Sequence, residues 1–117
     1  MPQYLLLIHE NEDAFEAASK EVQQAHFDLH ATFQKNNRDA ILASKPLDTT
    51  SKAKYLRKNG RGGYGVTDGV YAETKEVLGG YYVVEAEDMD AAVAIAEQLP
   101  GFGDTAVIQI RPIYHGD

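Results

Sequence analysis

A strand-like apolar run followed by a helical apolar stripe occurs near each end of this chain, and that pairing limits the folds open to it. The first run, residues 3–9, is apolar and strand-compatible and gives way to His9-Glu10-Asn11. Asp13-Ala14-Phe15-Glu16 matches a capping box and predicts a short helical turn. Ser19 is a second N-cap candidate, and Val22, Ala25, Leu29 and Phe33 recur behind it as one apolar stripe, predicting a helix from about 20 to 36. Asn36-Asn37 ends it, since asparagine tolerates the left-handed conformation at a helix C-terminus.

Near the other end, Tyr81-Tyr82-Val83-Val84 is the strongest strand in the chain, because aromatic and β-branched side chains pack well on a pleated face. Acidic Glu87-Asp88 opens a second helix, whose stripe is Ala92, Ile95, Ala96 and Leu99 and whose stop is Pro100-Gly101. Val107-Ile108-Gln109-Ile110 is the last strand, ended by Pro112. Between the two units, Ala40 to Ala43 reads as a short strand closed by Pro46. Residues 52–58 and Tyr64-Gly65-Val66-Thr67 read as strands joined through Gly60–Gly63, with Asp68-Gly69 as a tight turn. The expected architecture is α+β: a ferredoxin-like split βαβ with a central hairpin and two helices on one face of an antiparallel sheet. The other face carries Tyr and Val side chains and needs a cover, for which a sheet-to-sheet homodimer is the expected solution.

At 117 residues the chain fits one domain, 1–117, with no repeat, low-complexity tract or linker. It has no cysteine, which excludes disulfides and thiolate metal sites and suits a cytoplasmic location. The start Met1-Pro2-Gln3-Tyr4 runs straight into Leu5-Leu6-Leu7-Ile8 and reads as a first strand and not a signal peptide. No apolar run approaches the roughly 20 residues that span a bilayer, so no membrane partner is expected. The net charge of −7 opposes nucleic-acid binding. The local exception is Lys52, Lys54, Arg57, Lys58 and Arg61, beside a Gly60–Tyr64 stretch similar to an RGG segment; it reads as a solvated hairpin edge or an anion-steering patch.

Thr67-Asp68-Gly69-Val70-Tyr71-Ala72-Glu73-Thr74-Lys75-Glu76, followed by Leu78-Gly79-Gly80-Tyr81-Tyr82, resembles the YCII-related family in its DGPF branch. That bacterial branch is named for D-G-P-F followed by A-E-T-K-E and L-G-G-Y-Y. The resemblance extends to Met1–Leu7 and to Gln109–Ile113, and so covers essentially the whole chain. Val70 stands in place of the motif's proline and Tyr71 in place of its phenylalanine, which loosens the loop after Asp68. The resemblance implies a ferredoxin-like subunit that dimerises through its sheet, as in the dimeric α/β barrel superfamily. Related proteins carry a His–Asp pair proposed as catalytic, and one resembles a dehydrochlorinase acting on a hydroxylated aromatic. Members of the branch are often associated with extracytoplasmic-function sigma factors, which implies a regulatory or sensing role.

The candidate site follows from the residues that can move a proton or hold a ligand. His26 and His30 lie four apart on the first long helix, with His26 at the edge of the apolar stripe. A sheet-facing histidine suits general acid–base work, or is simply capped by a backbone carbonyl; zinc would need a third and fourth ligand that the sequence does not offer. Asp68 fits a local turn or a carboxylate that orients a histidine. Glu73 and Glu76 can move a proton and Lys75 can bind an anionic or phenolate group, or the string is an ion-pair network. Gly79 and Gly80 mark either close backbone approach or a bulge, and Tyr81 and Tyr82 point to opposite faces. No phosphate loop, nucleophile elbow, or flavin, haem or nicotinamide signature is present. The expectation is therefore cofactor-independent small-molecule binding or lyase- or hydrolase-like catalysis in a cleft between the first helix and the sheet. Its catalytic candidates are His26, Asp68 and Glu73, and its binding candidates Lys75, Glu76, Gly79, Gly80 and Tyr81. The alternative is a non-catalytic partner of a sigma factor.

Overall fold

In a computed structural model, residues 1–68 and 76–115 are described. The elements are β1 (Gln3–Asn11), α1 (Glu12–Ala17), α2 (Lys20–Asn36), β2 (Ile41–Pro46), β3 (Lys54–Lys58), β4 (Tyr64–Asp68), β5 (Glu76–Glu85), α3 (Met89–Ala96) and β6 (Val107–Pro112), with a 3₁₀ turn at Thr50–Lys52. The main sheet has the order β2-β5-β1-β6, and each neighbouring pair in it is antiparallel. This α+β arrangement is compatible with a ferredoxin-like fold. The expected hairpin forms as β3–β4, but as a two-stranded sheet of its own. Pro46 closes β2, which lies at a sheet edge, where its missing N–H costs no ladder bond. No helix among the described residues is long and apolar enough to cross a membrane.

Strand alternation builds the core. Tyr4, Leu6 and Ile8 of β1 turn to the helices and meet Tyr82 and Val84 of β5, Phe33 of α2, and Ala92, Ala96 and Leu99 at α3. Leu6 and Val84 are fully buried, so Leu6→Ala would cost about 2–5 kcal/mol. Leu5, Leu7, Tyr81 and Val83 occupy the opposite face, where Leu5 pairs with Val83 and Leu7 with Tyr81. The register of β1 against β5 slips between Ile8 and His9: Ile8 faces Gly80, while His9 faces Leu78. Gly79 is thus the extra residue of a bulge. The bulge exchanges odd for even along β5, so buried Val77 joins the face of Tyr82.

Three local expectations change. Asn11, and not Asp13, caps α1, its side chain accepting from the Ala14 N–H at 2.9 Å. Ser19 does cap α2, accepting from Val22 N–H, but α2 ends on Asn37 with φ −123°, outside the left-handed region. The face that α2 buries is also rotated from the expected one. Val22 is 48% and Leu29 57% exposed, while His26 and Phe33 are buried. The sheet beneath α2 presents a carboxylate and a tyrosine hydroxyl, so polar side chains are the ones that find partners there.

Candidate functional site

The rotation of α2 opens a cleft of about 480 Å³ between that helix and the β2–β5 side of the sheet. Its walls are Phe15 and Glu16 of α1, His26, Phe27, His30 and Gln34 of α2, Ser44–Thr49, and Val77–Tyr82. The floor is the end of β1. Glu10 continues the inward series Tyr4, Leu6, Ile8 by one step, so the same alternation that buries leucine places a carboxylate under α2.

His26 is the centre of the arrangement. Its Nε2 lies 3.7 Å from Glu10 Oε2, an electrostatic contact longer than a hydrogen bond. Glu10 is held in place because the same oxygen accepts the Phe102 N–H at 2.9 Å. Around the imidazole stand Phe15, Phe102 and His30, with ring centroids at 5.8, 5.3 and 4.8 Å. Burial among these rings pushes the His26 pKa below its usual value, and the Glu10 carboxylate pulls the other way without overcoming it. His26 is therefore a neutral base at neutral pH.

His30 is set by a second pair of contacts. Its Nδ1 lies 3.0 Å from the Tyr82 hydroxyl, which also accepts from Gln34 Nε2 at 3.0 Å. Burial raises the Tyr82 pKa, so the phenol keeps its proton. The Gln34 amide nitrogen donates to the phenol oxygen, and the Tyr82 O–H is placed to donate to a neutral His30 at Nδ1. In the tautomer that accepts this bond His30 carries its proton on Nε2, a donor it can offer to a bound molecule. Burial first, and then the neighbouring His26, lowers the His30 pKa to about 4.

The glycines of the bulge make room for this. A Cβ on Gly79 would stand 2.5 Å from Glu10 Oε1, and one on Gly80 would stand 3.2 Å from the Lys45 carbonyl. Gly79 thus combines the two roles weighed for it, bulge and close approach. Tyr81 borders the cleft, but its position opposite Leu7 puts its side chain on the other sheet face, and the hydroxyl that meets the histidines is that of Tyr82. Glu76 accepts from Thr105 Oγ1 at 2.6 Å and does not line the cleft. Asp68 ends β4, exposed and 2.9 Å from Lys54 Nζ, apart from the described cleft walls. Glu73 and Lys75 lie outside the described residues. No cluster of three or more metal-ligating side chains occurs among the described residues.

Sequence reasoning did not single out Glu10, Gln34, Phe102 or Tyr82 as members of the site. Glu10 had a signal, the inward parity of the β1 alternation carried to the strand's end. Gln34 had one too, at i+4 from His30 and i+8 from His26. Phe102 is brought in by the chain returning from α3, which no local pattern reveals.

The fold and cleft together describe an α+β domain with a histidine-lined pocket at one end of its sheet. The pattern that defines the YCII-related domain matches residues 2–115, and the chain belongs to the YCII-related family. No curated protein matches the chain.

Proposed function

We propose that this protein binds a small molecule in the α2–sheet cleft and acts on it by cofactor-independent acid–base chemistry, of the kind a lyase or hydrolase uses. The observation that carries this reading is a neutral, caged His26 beside the tethered Glu10, both open to a cleft of ligand size. A base that is unprotonated at neutral pH can take a proton from a bound molecule, and the adjacent carboxylate stabilises the imidazolium that forms. His30 Nε2–H supplies a fixed donor for an oxygen on the same molecule, and the aromatic walls suit a flat apolar body. Glu73 and Lys75 belong to this proposal by their place in the sequence just before β5, with Lys75 suited to an anionic substituent. Asp68 would reach the cleft only by leaving its ion pair with Lys54.

The finer family placement, in the DGPF branch and the dimeric α/β barrel superfamily, and a homodimer closed over Leu5, Leu7, Tyr81 and Val83, belong to the same reading. The sheet order and the apolar cross-strand pairs on the open face support it. The competing reading, a non-catalytic partner of a sigma factor, places function on the β3–β4 hairpin instead of the cleft. A second protein retained stoichiometrically from a bacterial lysate would favour it.

The test is a thermal-shift screen of wild type and His26→Ala against metal ions, small carboxylic acids and phenols. A compound that raises the wild-type melting temperature but leaves the variant unmoved supports the cleft reading. Equal shifts in both proteins would contradict it.

A further inference from the structure

Among the described residues, the β3–β4 hairpin is an arm that joins no other strand. The radius of gyration is 16.3 Å, whereas a compact chain of this length has about 13 Å. Leu56 pairs with Val66, and Lys58 with Tyr64, on one face of the arm. Leu56, Tyr64 and Val66 are 65, 57 and 60% exposed. A two-stranded hairpin is marginal in water by itself, and an apolar face of this kind marks a contact surface.

Charge identifies the occupant. Residues 52–68 hold five of the eleven Lys and Arg and one of the eighteen acids, a formal +4 that leaves −11 on the rest of the −7 chain. Much of that deficit is concentrated. Residues 10–28 carry six acids and one lysine, and Asp13, Glu16, Glu21 and Asp28 among them are exposed. On the cleft side of α2, Phe27 is 51% exposed, and Phe27 and Glu16 form part of the cleft's wall, whereas Val22 and Leu29 lie on the helix's other flank, more than about 100° around its axis. An arm that is basic and apolar thus matches a helical surface that is acidic and apolar. The arm is also rooted at the cleft's rim, since the chain leaves β2 at Pro46 and re-enters β5 by Val77, both of which line the cleft.

We infer that the β3–β4 arm of one copy docks on the α1–α2 surface of a second copy and closes the mouth of its cleft. Reciprocal exchange makes a closed pair, with each arm covering the other copy. The occupant of the cleft would then meet groups from two chains. This inference rests on the two surfaces and not on the chemistry of the cleft.

The chain's lack of cysteine allows a direct test. An isotope-labelled Leu56→Cys chain is mixed with an unlabelled Ala31→Cys chain, whose cysteine stands exposed at the cleft's wall, and treated with a bismaleimide, and mixed-label product is measured by mass. The control partner is Glu97→Cys, on the exposed end of α3. The inference predicts mixed product at least about ten-fold above the control. It also predicts loss of that product when the arm carries Lys54→Glu, Arg57→Glu and Lys58→Glu. Recovery is expected when the acceptor carries Asp13→Lys, Glu16→Lys and Glu21→Lys in turn. Product no higher than the control, product indifferent to these reversals, or cross-linking of the arm only to another protein in lysate would each overturn it.

Discussion

At the scale of single residues, the site depends on two imidazoles kept neutral by burial. That has a consequence for stability with a definite sign. His30 titrates near 6.5 when the chain is unfolded and near 4 in the fold, so between those values the unfolded chain binds more protons. The contribution of neutral His30 to stability is complete above pH 6.5 and is lost as pH falls toward 4; His26, shifted the same way, adds to it. Melting temperature should therefore fall across that window, and His30→Gln, which has no proton to gain there, should flatten the fall. An equally steep profile in the variant would show that other groups govern it. His26 was legible in the sequence as a histidine at the edge of an apolar stripe. Its cage was not, because Phe15, Phe102 and Glu10 come from three separate segments that only tertiary packing brings together.

At the scale of elements, most of the framework could be read from local pattern. Ser19 and Asp88 cap helices where short polar side chains precede periodic apolar residues, and each expected strand is present. The orientation of α2 does not follow from the sequence, because Val22, Ala25, Leu29 and Phe33 look like a core stripe and hydrophobicity alone does not tell a buried face from an exposed one. The bulge at Gly79 was equally ambiguous until the register with β1 was known. That bulge predicts a sharp phenotype. In Gly79→Ala the new methyl must displace the Glu10 side chain. The variant should then bind a cleft ligand on the order of ten-fold more weakly, about 1.4 kcal/mol, with the His26 pKa lower still because the carboxylate that raises it has moved. Isothermal titration and histidine NMR would measure the two effects. Unchanged affinity and titration in a folded Gly79→Ala protein would remove the bulge from the account.

At the scale of the whole molecule, two surfaces are unfinished: the apolar outer face of the sheet and the basic arm. The family match spans residues 2–115, and covering these two surfaces is what the proposed assembly does. Leu7→Asp puts a charge opposite Tyr81 in the middle of the outer face without touching the core. The test uses a chain whose arm already carries Lys54→Glu, Arg57→Glu and Lys58→Glu, so that only the sheet contact is left. There the proposed sheet-to-sheet dimer predicts that light scattering will show the molar mass falling from twice the 12.9 kDa chain to once that value on Leu7→Asp. A variant that keeps the doubled mass would move the dimer contact away from the outer face of the sheet.

The central claim is that a small molecule sits against His26 and His30, and the chain carries its own reporters for it. It has four histidines, of which His26 and His30 line the cleft and His9 and His115 do not. The most direct measurement follows the four imidazole signals by NMR as compounds that stabilise the protein are added. The account predicts that a stabilising compound shifts His26 and His30 together and leaves His9 and His115 in place. A stabilising compound that moves only His9 or His115, or none of the four, would contradict it.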